Sequence, residues 1–219
     1  FFNDGLFVYN SYSNTVENNT VNGKPLIYLE NTENIEIEQE AGQIILIQCR
    51  NITITGQNIT NTDNGIELWK TNQTKIYGNT IQNNNAYGIH LYYSDGNNIY
   101  GNTIQNNNWD GIDLYYSDGN NIYGNTIQNN YYGIDLYYSS GNNIYGNTIQ
   151  NNNYYGIHLY YSDGNNIYGN TIQNNYYGIR LYYSDGNNIY GNTIQNNNYY
   201  GIHLYESDGN NIYGNTIQN

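Results

Sequence analysis

One column of ionisable residues recurs at the same position of a repeated unit and has the composition of a chemical site. Its members, each preceded by Gly-Ile, are Glu67, His90, Asp113, Asp135, His158, Arg180 and His203. Imidazoles and carboxylates bind metal ions and transfer protons. The pair His90 and Asp113 is therefore a weak candidate for a metal site or an acid–base pair, and Asp135 with His158 is a second. The favoured interpretation is an exposed ladder in which neighbouring repeats pair opposite charges, with no metal and no catalytic residue.

The repeated unit opens with a glycine, which recurs at Gly88, Gly111, Gly133, Gly156, Gly178 and Gly201 in steps of 22 or 23 residues. A fixed period in the twenties is typical of a solenoid, whose repeats bury their apolar sides by stacking. Alternating apolar and polar residues predict three short strands per unit, at 88–92, 98–100 and 102–105 in the unit that begins at Gly88. We therefore predict an all-β fold, a triangular parallel β-helix of about 9–10 coils with 22–23 residues per coil.

Parallel stacking brings equal positions of successive units together, so identical side chains are expected to form columns. One outward aromatic ladder is Tyr92, Tyr115, Tyr137, Tyr160, Tyr182 and Tyr205, and a second is Tyr100, Tyr123, Tyr145, Tyr168, Tyr190 and Tyr213. One amide ladder is Asn102, Asn125, Asn147, Asn170, Asn192 and Asn215. Offset aromatic pairs add about 0.5–1.5 kcal/mol each beyond burial, so the tyrosines are expected to replace part of the missing apolar mass.

A single domain is predicted for residues 1–219, in two parts. Residues 87–219 hold near-identical repeats rich in Tyr and Asn, whereas residues 1–86 are irregular coils with an insert at 24–41. Residues 1–23 match the pattern of one degenerate coil. Cys49 lies in an apolar run and is predicted to be a buried core residue, with no disulfide framework.

The charge balance excludes some classes of partner. The net charge is −13 and only five residues are basic, so the surface repels phosphate backbones and a nucleic-acid partner is not expected. No stretch approaches the ~18 apolar residues of a membrane span. An acidic column in Asp-Gly turns consists of Asp95, Asp118, Asp163, Asp185 and Asp208. Stacked carboxylates can share calcium, but turn-forming aspartates that face water are the preferred interpretation, so no cofactor is expected.

Both ends of the predicted coil stack lack a cap. The repeats stop in mid-coil, and joining the last residue to the first restores a step of 23 residues. We expect assembly surfaces formed by Phe1, Phe2, Gly5, Leu6, Ile212, Ile217, Gln218 and Asn219. Copies that stack end to end through such surfaces form an open polymer. Because the chain contains no methionine and no signal peptide, we expect a processed or excised piece of a longer product.

The units with Gly-Ile-x-Leu, Asn-Asn-Ile and Asn-Thr-Ile resemble the right-handed parallel β-helix repeats of NosD-like (CASH-domain) proteins, along essentially the whole chain. The stretches 22–29 and 41–47 are similar to the version found in archaeal cell-surface proteins. The resemblance implies a right-handed helix and an exported protein, extracellular or at the cell surface. The members that give the family its name are periplasmic and associated with copper delivery. In an exported chain, the Asn-x-Thr sequons at Asn18, Asn51, Asn58 and Asn72 predict glycosylation.

These features lead to three hypotheses for function. The first is a non-catalytic structural subunit of an extracellular filament or cell-surface layer, whose partners are copies of itself. The alternative is a surface adhesin that binds glycans, because exposed aromatic rows can stack on sugar rings. A polysaccharide lyase or epimerase is the least favoured, because enzymes on related β-helices use Asp with Lys or Arg in a groove with loop walls. Here Arg180 is the only basic residue of that kind among the repeats.

Overall fold

The computed structural model describes residues 1–218 and confirms the predicted parallel β-helix. The described residues form strands, turns and bends in three sheets, and no helix. Each coil of the repeats contributes one strand to each sheet, as the alternation in the sequence predicts. None of residues 1–218 lies in a helix with the length and hydropathy needed to span a membrane. Asn219, predicted to belong to an assembly surface, lies outside the described residues.

The sheets are numbered by their order along a coil. Sheet 1 contains Thr20–Val21, Lys24–Glu30, Gln43–Ile47, Ile66–Trp69, Ile89–Tyr92, Ile112–Tyr115, Ile134–Tyr137, Tyr155–Tyr160, Tyr177–Tyr182 and Tyr200–Tyr205. Sheet 2 contains Glu36–Ile37, Thr53–Thr55, Lys75–Tyr77, Asn98–Tyr100, Asn121–Tyr123, Asn143–Tyr145, Asn166–Tyr168, Asn188–Tyr190 and Asn211–Tyr213. Sheet 3 contains Asn58–Thr60, Thr80–Gln82, Thr103–Gln105, Thr126–Gln128, Thr148–Gln150, Thr171–Gln173, Thr193–Gln195 and Thr216–Gln218.

Strands of successive coils pair in parallel, and identical residues lie side by side, as with Leu91 and Leu114. The inward Ile and Leu side chains of the three sheets form one continuous core. Cys49 belongs to this core as a free, buried thiol, as predicted. Sheet 3 has eight strands and therefore counts eight complete turns. The prediction of about 9–10 coils is higher because it counts residues 1–23 as a coil, whereas residues 1–19 contain no strand.

The glycine that opens each unit is required by a close approach between coils. A Cβ atom added to Gly133 would lie 2.5 Å from the carbonyl oxygen of Gly156 and 2.6 Å from a methyl group of Ile149. Packed atoms do not approach so closely, and a protein interior has little free space to absorb the clash. The period of 22 or 23 residues that predicts the coil therefore has a steric cause.

Each corner places a residue with positive φ directly before a buried polar residue. In the coil that begins at Gly88, the positive-φ residues are Tyr93, Gly96, Gly101 and Asn106. The residues that follow them are Ser94, Asn97, Asn102 and Asn107, and all four are buried. Glycine and asparagine adopt this backbone conformation readily. A tyrosine at φ 49° is unusual, so the corner holds Tyr93 in a conformation that its side chain does not favour.

The buried polar residues form ladders along the helix axis. The predicted amide ladder is confirmed: the backbone N–H and Nδ2 of Asn79 both donate to Oδ1 of Asn102 at 3.0 Å. Two further amide ladders pass through Asn97 and Asn107, and a hydroxyl ladder passes through Ser94. These three ladders are not among the sequence predictions, because Asn and Ser in turns are usually ascribed to local turn formation.

Residues 1–19, the N-terminal segment, lie along the outer face of sheet 1 instead of forming a coil. Leu6, Val8, Tyr12 and Val16 of this segment pack on the outward side chains Ile45, Ile47 and Trp69. The Leu6 N–H donates to Oε1 of Gln43 at 2.9 Å, and Nε1 of Trp69 donates to the Tyr12 hydroxyl at 2.6 Å. This cover explains why the strand Gln43–Ile47 is apolar on both faces.

The N-terminal residues therefore do not form the open end that the sequence predicts. Gly5 lies against the side chains of Thr62 and Gln43, Leu6 joins the apolar cover of sheet 1, and Phe1 and Phe2 precede them on the surface. The first edge of sheet 3 is covered by two side chains: Nδ2 of Asn22 donates to the Thr60 carbonyl at 3.0 Å, and Nζ of Lys24 donates to the Asn58 carbonyl at 3.0 Å. These bonds occupy carbonyl groups that an added strand needs.

Candidate functional site

The ionisable column lies on the outer face of sheet 1, at the floor of a cleft. Strand register places His90 beside Asp113 and Asp113 beside Asp135. A cavity of about 580 Å³ opens here, and these three residues line it. Its walls include Phe7, Tyr9, Tyr87, Tyr92, Trp109, Tyr115 and Tyr137. An aromatic cavity with a few convergent polar groups is the usual form of a ligand site.

Two histidine–aspartate pairs bridge neighbouring coils. Nδ1 of His90 lies 2.5 Å from Oδ2 of Asp113, and Nδ1 of His158 lies 2.8 Å from Oδ1 of Asp135. Burial lowers the pKa of His90, but the hydrogen bond with Asp113, its charge and that of Glu67 outweigh burial, so the pKa is raised. His90 and Asp113 are only 7% and 5% exposed. The prediction of an exposed ladder is therefore wrong for this part of the column.

Tyrosine rings hold the two imidazoles in place. The ring of Tyr87 stacks on His90 with centroids 4.8 Å apart, and the ring of Tyr155 stacks on His158 at 4.5 Å. Each imidazole thus has one nitrogen bonded to a carboxylate and one face covered by a ring. Such contacts restrict ring rotation, as catalytic groups require.

Asp110 completes the site and is not among the residues predicted from the sequence. It occupies the position before the opening glycine, where the other five units carry Tyr87, Tyr132, Tyr155, Tyr177 and Tyr200. Because aspartate is much smaller than tyrosine, this substitution opens the wall of the cleft, and a second cavity of about 350 Å³ borders Trp109 and Asp110. The signal was present in the sequence as a single departure from the repeat.

Three carboxylates meet in the cleft. One oxygen each from Asp110, Asp113 and Asp135 lies within 4.8 Å of the other two. Burial, followed by the charges of Asp135 and Asp113, raises the pKa of Asp110 well above its ordinary value. Like charges this close disfavour one another, so Asp110 is the carboxyl most disposed to keep its proton. Asp135 is hydrogen-bonded to the His158 imidazole, which orients its carboxyl group. The site therefore places a carboxyl with a raised pKa, Asp110, beside a second, oriented carboxyl group.

Glu67 continues the column beneath the N-terminal segment. It is fully buried, and Nδ2 of Asn64 donates to its Oε2 at 3.3 Å. Burial raises the pKa of Glu67 to about 7, although the His90 charge and the bonds from Asn64 and the Val8 backbone oppose the shift, and the Asp63 charge adds to it. The carboxyl is thus protonated in the folded chain over a range where a free carboxyl is ionised.

The raised pKa of Glu67 predicts that the free energy of unfolding is higher at acidic pH than at alkaline pH. Between its ordinary pKa of 4.5 and the folded value of about 7, the folded state keeps a proton that the unfolded state has released. Stability therefore falls as pH rises through this window, by on the order of 3 kcal/mol for Glu67. Thermal unfolding of the wild type and Glu67→Gln at pH 5 and pH 8 measures this. We expect the variant to gain stability at pH 8 and to depend less on pH.

The control for this prediction is Glu38→Gln, because Glu38 is exposed and its substitution removes the same charge from the surface. We expect Glu38→Gln to follow the wild-type pH dependence. Equal pH dependence for the wild type and both variants contradicts the assignment of the effect to Glu67.

Both predicted aromatic ladders are present, together with a third. Ring centroids of Tyr92 and Tyr115 lie 5.0 Å apart, and those of Tyr100 and Tyr123 lie 4.8 Å apart. The third ladder consists of Tyr93, Tyr116, Tyr138, Tyr161 and Tyr183. It meets the first ladder edge to face, as with Tyr92 and Tyr93 at 4.7 Å and 78°. Three members of the first ladder, Tyr92, Tyr115 and Tyr137, line the cleft.

The other predicted residues lie away from the cleft. The predicted glycosylation sites are all exposed: Asn18, Asn51, Asn58 and Asn72. Their glycosylation stays a prediction. The turn aspartates bond to neighbouring coils, as when Asp118 N–H donates to Oδ1 of Asp95 at 2.8 Å. In the last strands of sheets 2 and 3, Ile212 and Ile217 are 41% and 51% exposed, and Gln218 ends the last strand of sheet 3.

The fold and the cleft define a right-handed parallel β-helix protein with a groove along one sheet. The family described as "Right handed beta helix region" matches residues 2–149, and "Periplasmic copper-binding protein (NosD)" matches residues 107–219. The chain therefore belongs to the NosD-like right-handed β-helix proteins, as predicted. The likeness to archaeal surface proteins stays a prediction. No curated protein matches the chain.

Several solved structures share this fold. The periplasmic alginate epimerase AlgG is 20% identical with a TM-score of 0.76, over 90% of this chain and 51% of that one. The A-module of Azotobacter vinelandii mannuronan C-5 epimerase AlgE6 is 18% identical with a TM-score of 0.66, and the match covers 84% of this chain and 64% of that one. DFA-IIIase from Arthrobacter chlorophenolicus A6, without its lid, is 13% identical with a TM-score of 0.65, and the match covers 84% of this chain and 59% of that one. The chain thus spans about half the length of AlgG, and at these identities the likeness concerns the fold.

These comparisons contradict the prediction of a non-catalytic structural subunit of a filament or surface layer. The similar structures are named as epimerases and as a DFA-IIIase, which are carbohydrate-active enzymes, and none of the three is named as a filament subunit. The expectation that the protein is not an enzyme is contradicted by the same finding. NosD and AlgG are both named as periplasmic.

The family name implies copper, and the donor groups present do not fit it. The chain has no methionine, and its one cysteine is buried in the core. Strand register separates the three histidines by at least two coils, or roughly 10 Å, so no two are adjacent in the column. The group of potential ligands that lies close together consists of carboxylates, and oxygen donors favour hard cations over copper.

Proposed function

We propose that the protein is a carbohydrate-active enzyme that performs acid–base chemistry on a sugar unit of a linear polysaccharide. The observation that carries this proposal is Asp110, a buried carboxyl with a raised pKa beside Asp135 in an aromatic cleft. A pair of carboxyl groups with unequal proton affinity supplies one proton donor and one proton acceptor or nucleophile. The fold shared with carbohydrate-modifying enzymes supports the choice of substrate class.

The roles follow from the contacts. Asp110 donates a proton to the reacting sugar unit, because it holds that proton most readily. Asp135 accepts a proton from the sugar unit, because its bond to His158 orients its carboxyl group beside Asp110. The His90–Asp113 pair is a positioning unit that fixes the charge beside Asp110.

The groove suits a chain that lies parallel to the helix axis. Its first aromatic ladder repeats at ring spacings of 4.7–5.3 Å, so successive sugar rings find similar surfaces. Binding of this kind without turnover, as in a glycan-binding surface protein, is the second candidate function, and the continuous tyrosine ladders favour it. In both cases the protein is proposed to act outside the cytoplasm, as the periplasmic relatives do.

The experiment that tests the proposal uses the full chain and a panel of neutral and acidic polysaccharides. Affinity electrophoresis measures binding, and nuclear magnetic resonance of the polysaccharide after incubation detects chain cleavage or a changed sugar configuration. We expect one polysaccharide to bind and to be chemically altered. Binding without alteration overturns the enzymatic proposal in favour of the second candidate. Absence of binding to every polysaccharide overturns both.

A further inference from the structure

Arg180 is the only basic residue other than histidine after Lys75, and it lies on the floor of the groove. On sheet 1, Asp135 pairs with His158, and His158 pairs with Arg180. Two coil steps at ~4.8 Å place Arg180 roughly 10 Å from Asp135 along the groove. A ligand that reaches both positions must be longer than a single sugar.

The guanidinium of Arg180 makes no ion pair with a carboxylate of residues 1–218, although the chain carries a net charge of −13. Its Nη1 donates to the Tyr155 hydroxyl, and its Nε is buried without a partner in the same range. The rings of Tyr155, Tyr177 and Tyr182 surround the guanidinium at 5.3–5.6 Å. Such stacking fixes the plane of the guanidinium and leaves its charge without a counter-ion.

The in-register neighbours of Arg180 are imidazoles and not carboxylates. His158 and His203 flank it in register. Burial and the charge of Arg180 lower the pKa of His203. A cavity of about 300 Å³ lies at this place and is lined by Tyr132, Tyr155, His158, Tyr160, Arg180 and Tyr182. Phenol hydroxyls beside an oriented guanidinium are suited to bind a planar or tetrahedral oxyanion.

We propose that Arg180, with Tyr155, forms a subsite for an anionic group on the polysaccharide, either a carboxylate or a sulfate ester. This inference rests on the proposed function and makes its substrate an acidic polysaccharide. The subsite fixes the chain in the groove so that a sugar unit beyond it lies against Asp110 and Asp135. The histidine partners of Asp113 and Asp135 reduce the repulsion that these carboxylates exert on an anionic chain.

The test compares the wild type with Arg180→Gln, using polygalacturonate, dextran sulfate and neutral dextran as probes in affinity electrophoresis. Loss of a charge-assisted hydrogen bond predicts a decrease in affinity for the acidic probe by about ten- to a hundredfold, with affinity for dextran unchanged. Lys75→Gln is the matched control, because Lys75 is exposed on sheet 2 and its loss changes the net charge equally. We expect it to bind as the wild type does.

The imidazole of His203 gives a second readout. An anion bound at Arg180 raises the pKa of His203 in the wild type, and nuclear magnetic resonance titration with and without the acidic probe detects the shift. Preference for polygalacturonate identifies a carboxylate, and preference for dextran sulfate identifies a sulfate ester. Equal affinity of the wild type and Arg180→Gln for both acidic probes overturns the subsite while leaving the proposed function intact. Failure of the wild type to bind any polysaccharide in the full panel overturns the proposed function itself.

Discussion

Replacement of Asp110 by asparagine is expected to lower the turnover of the polysaccharide by about 10²–10⁴-fold. Asparagine has the shape of aspartate but has no carboxyl proton to donate. Asp110 is the carboxyl whose burial and like-charged neighbours raise its pKa, so its proton is available in a range where an ordinary aspartate has lost it. Initial rates on the polysaccharide identified in the panel, measured across pH, test this. The wild-type rate falls as pH rises through the pKa of Asp110, whereas the residual rate of the variant lacks that decline.

The same substitution is expected to stabilise the fold. An aspartate whose folded pKa is raised lowers stability at every pH above its unfolded pKa, and Asp110→Asn removes that cost. Lower activity together with a higher melting temperature distinguishes a functional carboxyl from a structural one. Asp118→Asn is the control, because Asp118 lies in an exposed turn of the same coil and should leave turnover unchanged. A turnover in Asp110→Asn equal to that of the wild type excludes Asp110 as the proton donor.

The fold could be predicted from the sequence because each coil repeats the same constraint. A Cβ at Gly133 meets the backbone of the next coil, and Leu91 must face Leu114 to remain buried. Any one of these positions is weak evidence, but their common period of 22 or 23 residues is specific. The resemblance to NosD-like proteins rests on the same repeated positions, which explains why it is informative about fold and not about chemistry.

The site could be predicted only in part, because its key member departs from the repeat. The His90–Asp113 pair follows from the column, yet its burial depends on ring contacts such as that of Tyr87. Asp110 is visible as an exception to a tyrosine column, but its effect depends on the distance to Asp135 of the next coil. In a solenoid, residues that recur in every coil maintain the fold. Residues that interrupt a column are therefore the candidates for a functional role.

The N-terminal segment shows a different limit. Gly5 and Leu6 match the pattern of a coil start, and pattern alone assigns them to a coil. The apolar outward residues Ile45 and Ile47 are the contrary signal, because an outward face exposed to water does not carry two isoleucines. The segment buries this face, and this tertiary contact outweighs the weak repeat pattern.

Replacement of Asn125 by leucine is expected to lower the free energy of unfolding by about 4 kcal/mol. Oδ1 of Asn125 accepts bonds from the backbone N–H and Nδ2 of Asn102, and its Nδ2 donates to the carbonyl of Ile99 and to Oδ1 of Asn147. Leucine has a similar size but makes none of these four bonds, and the buried backbone N–H of Asn102 loses its acceptor. Chemical denaturation with a matched variant measures the loss.

The matched variant is Asn121→Leu, because Asn121 lies in the same coil and is only partly buried. Its outward amide donates to Asn98 at 3.1 Å and accepts from Nδ2 of Asn143 at 2.9 Å. Water can replace both bonds, so we expect a loss below about 1 kcal/mol. A difference between the two variants assigns the stability to the interior ladders. Equal losses contradict this assignment and indicate that the apolar core and the aromatic ladders hold the coils together without the buried amides. The loss in free energy of unfolding caused by Asn125→Leu therefore decides whether the interior asparagines stabilise the stack of coils or only occupy its corners.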